Sequence, residues 1–301
     1  LWLAGRVAFG IGDALPIEVL MIAELLFVPG LIIVLAPSLL RSSNRNWPLL
    51  LVILAFWCGD AVFAYAAASG QSVLASTALR GSLGVVLILI TIIGGRIIPA
   101  FTGNALRARG AAVTMRSSRA LEVAAIVSTA GYVLADIAAP FGELTGGIAA
   151  AAALAHLIRL SGWHGLRSWR DPIVWILHAG YAWLPVGLAL KAAFVLAGAS
   201  WAVHWQHALG AGAAATMIMA VMTRASLGHT GRPLRVSRLI VVAYATLIAS
   251  VILRVFGASV LQLQYASTVT MAGALWILAF VLYSGVYAPI LTGPRADGKP
   301  G

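Results

Sequence analysis

Charge is scarce in this chain. Only 10% of its 301 residues are Asp, Glu, Lys or Arg, too few polar groups to cover a soluble domain of this size. Acidic residues are scarcer still, 9 against 20 basic ones. Cysteine is almost missing: Cys58 stands alone, which excludes an intramolecular disulfide framework and a cysteine-only zinc site. No Walker or dinucleotide glycine motif is present, nor a coiled-coil heptad or an internal repeat. No basic region precedes a short apolar core, so no signal peptide is read at the start. LWLAGRVA instead reads as the end of a helix emerging on the non-cytoplasmic side, and the chain as the C-terminal portion of a larger membrane protein.

What remains is apolar. The chain is 61% hydrophobic with a mean hydropathy of +0.97. Nine apolar segments, each bounded by Pro, Gly or charge, run over 17–40, 48–69, 82–100, 121–140, 143–161, 173–196, 203–223, 238–256 and 262–288. Segments near twenty residues cross a bilayer as helices, because only helices or closed barrels satisfy the backbone in lipid. The expectation is an all-α, polytopic helical membrane domain over 1–292, with a polar cytoplasmic tail over 293–301 (GPRADGKPG). Sixteen of the 20 basic residues fall in alternate connections, at 41–47, 96–119, 159–171 and 224–238, and in the tail. The net charge of +11 therefore reports orientation rather than nucleic acid, with those loops and the C-terminus cytoplasmic.

Six histidines carry the chemistry, and depth sorts them. His156 and His178 each lie five residues inside the inner end of adjacent segments, about 7–8 Å into the membrane. They read as facing ligands of haem or copper, or as interfacial histidines bonded to backbone. His204 and His207, at i and i+3, share one face at the opposite end of their helix, which suits two ligands of one metal or a ligand with its proton partner. A separation of about 20 Å from His178 requires two sites, or one site plus structural histidines. His164 and His229 fall in cytoplasmic loops. Met217, Met219 and Met222 are too far along their helix for a compact cluster with His207 and read as packing. Asp60, in WCGD near the middle of a segment, reads as part of a proton path or as a neutral carboxyl bonded across helices. Lys191 and Arg254, near the outer interface, are placed to snorkel or to meet acidic partners.

Three blocks go further: GGRIIPAFTGN at 94–104, RDPIVWILHAGYAWLPVGLAL at 170–190 and HALGAGAAATMIMAVMTRASLGHTGRPL at 207–234. With these the chain resembles the C-terminal part of the NnrS family. The resemblance implies a twelve-helix protein of the bacterial inner membrane that contains haem and copper and is linked to the nitric oxide response and denitrification. His178, His207 and His229 fall on the family's motif histidines, with His204 adjacent. Arg96 and Arg224, at the inner boundary, would then pair with haem propionates or serve as interfacial anchors. Nitric oxide enters as a ligand, and the lipid bilayer is the one partner composition requires. A proton-coupled transporter through Asp60, and a redox enzyme that metabolises nitric oxide, stand as alternatives; the chain lacks the paired-histidine array of haem–copper oxidases.

Overall fold

The computed structural model describes residues 1–11, 15–40, 47–116 and 118–298. It is helical, with no strand among the described residues. The helices are α1 (Trp2–Gly10), α2 (Ile17–Leu25), α3 (Phe27–Leu40), α4 (Pro48–Ala68), α5 (Ser72–Leu89), α6 (Gly95–Arg107), α7 (Arg119–Ala138), α8 (Glu143–Ser161), α9 (Pro172–Leu196), α10 (Trp205–His207), α11 (Thr216–His229), α12 (Arg238–Ile252) and α13 (Tyr265–Thr292). Among the described residues, nine continuous helical stretches are long and apolar enough to cross a membrane, and they coincide with the nine apolar segments of the sequence.

Three of the stretches contain π-turns, within the helix at Ile90–Gly94 and Ala208–Ala215 and at its end at Leu253–Gly257. Such turns are rare and leave a helix locally open to an inserted side chain. The third crossing differs most from expectation. It begins at Ser72 and ends at Arg107, because the polar run before residue 82 is itself helical. There Thr77 bonds back to Val73 O (2.9 Å) and Arg80 donates to Thr77 Oγ1 (2.9 Å), so the polar groups are met within the helix.

The chain forms two compact units, Leu1–Val86 and Leu87–Gly301. In the first, Arg6 pairs with Glu24, and Trp57 Nε1 donates to Leu25 O (2.9 Å), fixing α4 on α2. In the second, α9 is the axis, flanked by α6, α8 and α11, and nearly every turn of it carries buried residues. Its start is defined by Pro172 at the first helical position after Asp171. Ser118 and Ser237 cap α7 and α12, accepting from Leu121 N (3.2 Å) and Ile240 N (3.4 Å). Small residues let the 208–217 stretch lie directly on α9. A Cβ at Gly212 would overlap Trp183, and one at Gly187 would overlap Leu209. The ALGAGAAA surface thus receives another helix.

Polar contacts tie the connections at the α9 N-terminal end together. Arg116 N donates to Gly162 O (3.2 Å), His164 Nε2 meets Thr114 O (3.2 Å) and Arg109 pairs with Asp171 (3.2 Å). The tail folds back on the end of α11, where Ala296 N donates to Thr230 O (2.9 Å) and Arg295 to His229 O (2.9 Å). Arg41, Arg45 and Lys299 lie outside the described residues. Cysteine probes at Arg109, Arg167 and Arg232, in a Cys58→Ser background, are expected to label from one and the same side, the cytoplasm. A mixture of sides would break the charge-based orientation.

Candidate histidine sites

His178 sits in the second turn of α9, 8% exposed. Its Nε2 lies 2.8 Å from Thr102 Oγ1 on α6, and Thr102 in turn donates to Ile98 O (2.8 Å). Its Nδ1 is buried and has no hydrogen-bond partner among the described residues. Beside it runs the short helical turn Gly165–Ser168, whose first residue has no side chain for a physical reason: a Cβ there would stand 2.5 Å from Nδ1. Both His178 and Gly165 line a cavity of about 850 Å³ that is walled by Leu157, Leu160, Leu166, Trp169 and Trp175, with Arg167 also on its wall. The volume and apolar lining are those of a small-molecule or cofactor pocket.

His156 is placed differently. It is fully buried on α8, and both its nitrogens are engaged: Nδ1 with Tyr181 OH (2.7 Å) and Nε2 with Thr129 Oγ1 (2.8 Å). Thr129 spends its own proton on Ala125 O (2.7 Å), so Nε2–H is the donor to Thr129 and Nδ1 accepts from Tyr181. Tyr181 in turn accepts from Arg159 Nη1 (3.0 Å). Arg159, 1% exposed, grips Glu122 with Nε (2.9 Å) and Nη2, and reaches Thr91 O (2.7 Å) in the π-turn. Gly95, one residue past that π-turn, makes room, since a Cβ there would overlap the guanidinium. His156 and His178 thus bracket Tyr181 and Trp163, whose rings meet edge-on at 4.7 Å. The Tyr181 hydroxyl points to His156 and Arg159 rather than to His178.

The second histidine pair lies at the other end. His204 and His207 have ring centroids 5.8 Å apart, and His204 stacks on Tyr265 at 6.4 Å. Both are half-buried, and neither ring is hydrogen-bonded among the described residues. Arg254, in the last π-turn, faces the same Tyr265 ring at 5.8 Å. Between the two histidines, Trp205 packs on Lys191 with Nζ 3.8 Å from the ring centroid. Lys191 does not snorkel. It is fully buried, paired with Asp136 at 2.7 Å and faced by Phe141 at 5.1 Å. Thirteen residues along α9 separate Lys191 from His178, about 20 Å, so the two histidine regions are distinct, as depth implied.

The other expected residues scatter. His229 is exposed at the end of α11. Arg224 stands 3.6 Å over Phe101, the neighbour of Thr102, whereas Arg96 is exposed; neither lines the cavity. Met217 and Met219 are buried, and Met217 packs against Gly180. Asp60 opens onto a cavity of about 620 Å³ in the first unit, shared with Arg6, Glu24 and Ser82. Among the described residues no three His, Cys, Asp or Glu side chains converge on one point.

Thr102, Arg167, Glu122 and Thr129 escape a reading of the sequence, although Thr102 lies inside the GGRIIPAFTGN block and Arg167 between two histidine-bearing helices. No curated protein and no solved structure gives a significant match to the chain. The family model for NnrS protein matches residues 1–295, nearly the whole length and all three sequence blocks, and the chain belongs to the NnrS family.

Proposed function

We propose that this chain is part of a haem- and copper-containing membrane protein that responds to nitric oxide or protects the cell from it. The observation that carries the reading is His178: one nitrogen held by Thr102, the other buried without a partner, on the wall of a cavity large enough for a cofactor. Metal-binding imidazoles are commonly arranged in this way, with the distal nitrogen tied to an oriented oxygen. His178 would hold the group, the tryptophan and leucine wall would offer it an apolar face, and Arg167, on the same wall, is a cation available to acidic substituents. Arg224, above Phe101, and Arg96 remain candidates for the same pairing. His204 and His207 offer a second pair of imidazoles, a donor type that suits copper. His156 would have to leave Tyr181 or Thr129 to join either centre, and His229 would act from the surface. A bound haem iron or copper supplies a coordination position for a diatomic ligand such as nitric oxide.

The test is an absorption spectrum of the full-length protein purified from membranes, recorded with and without nitric oxide, beside metal analysis. Wild type is expected to show bound haem and copper and a spectrum that shifts with nitric oxide. His178→Ala and His207→Ala are each expected to lose one signal and keep the other. Full haem and copper content in both variants would overturn the assignment.

The cavity at Asp60 favours a second reading, a proton-coupled carrier, in which Asp60 with Arg6 and Glu24 lines the path. That reading requires no spectroscopic signal, so the same measurement separates the two.

A further inference from the structure

We propose that Thr102 is the positioning residue of the His178 site and that it makes Nδ1 the ligating atom of that imidazole. This rests on the cofactor-binding role of His178 argued above. A threonine hydroxyl has one proton and two lone pairs. Thr102 can spend that proton on Ile98 O at 2.8 Å, and then its oxygen accepts from His178 Nε2–H, also at 2.8 Å. The opposite arrangement sends the threonine proton to Nε2 and puts the ring proton on Nδ1, which is buried and has no acceptor among the described residues. Orphaned buried N–H groups are rarer in proteins than acceptors with a spare lone pair. The geometry therefore selects the Nε2–H tautomer and leaves the Nδ1 lone pair without a protein partner. This is the state an imidazole needs to bind a metal, with its other nitrogen fixed from behind.

Two further features hold the ring in that pose. Trp163 meets it edge-on with centroids 6.4 Å apart. Gly165 is the one residue type that fits against Nδ1, since any Cβ there would stand 2.5 Å away. The ring is thus gripped on its Nε2 side by a hydroxyl and approached on its Nδ1 side by bare backbone beside the cavity. Thr102 comes from α6 and Gly165 from the turn before α9, so the pose depends on packing across the unit rather than on α9 alone.

The experiment has a readout that needs no cofactor. Nitrogen-15 NMR of histidine-labelled full-length protein, with the His178 signal assigned by its loss in His178→Gln, reports which ring nitrogen carries the proton. Wild type is expected to be Nε2–H, Thr102→Ser to keep that tautomer and Thr102→Val to lose it. Titration with haemin and, separately, with cuprous ion should then show binding at this site weakened about 10–100-fold in Thr102→Val and restored in Thr102→Ser. An Nδ1–H tautomer in wild type would overturn the inference without any variant having to fold. So would unchanged affinity in Thr102→Val beside lost binding in His178→Ala, an outcome that leaves the site itself standing. Unchanged binding of both probes in His178→Ala would instead remove the site, and the inference with it.

Discussion

Lys191→Met is expected to destabilise the protein by about 3–5 kcal/mol, the usual cost of breaking a buried ion pair by removing one partner. The lysine is fully buried, its ammonium lies 2.7 Å from Asp136, and that carboxylate is itself only 6% exposed. Methionine fills much the same volume, so the loss comes from the carboxylate left behind rather than from a cavity. Removing both charges tests this directly. Lys191→Met with Asp136→Leu is expected to recover most of the loss, because apolar replacements of a buried pair are often neutral or stabilising. Thermal unfolding in detergent reads both. A single variant as stable as wild type would mean that water reaches Asp136. The single variant also removes the cation under Trp205, the residue that packs between His204 and His207, so it should disturb that pair as well.

Arg159→Met should cost a similar amount, about 3 kcal/mol, toward the lower end because the Glu122 side chain is 29% exposed and can rehydrate. What distinguishes this site is shape. The guanidinium serves three partners at once: two nitrogens for Glu122, and the third for Thr91 O and Tyr181 OH. An ammonium cannot reproduce that planar fork, so Arg159→Lys should recover less than half of the loss. If lysine proves as good as arginine in thermal unfolding, the fork has been over-read and a point charge suffices.

The bilayer-crossing helices are legible in the sequence because lipid makes one demand of every segment, about twenty apolar residues with no unmet backbone group. The start of the third crossing escapes that rule. Thr77 and Arg80 look like loop residues by composition, yet they satisfy one another within a helix turn. The histidines stand out because imidazoles are scarce in an apolar chain, but their partners do not. Thr102 and His178 are 76 residues apart, and no local pattern records a hydroxyl that meets a ring across two helices. Charge is only partly legible. Arg159 counts with the inner basic residues, and Lys191 reads as snorkelling or as meeting an acidic partner; in the fold both turn inward to carboxylates on α7. Composition tells how many charges a membrane protein carries near each face; packing decides which of them meet water.

The π-turn at Ala208–Ala215 holds more residues than an α-helix needs to reach the same bearing. Trimming one residue from ALGAGAAA would let the turn relax toward α-helix and leave Trp205 against the Lys191 ammonium and His204 on Tyr265. The same deletion in the regular α-helix that follows has no such slack, and at about 100° per residue it would swing both side chains away from their partners. The spare residue therefore sits where a change in length disturbs the imidazoles least.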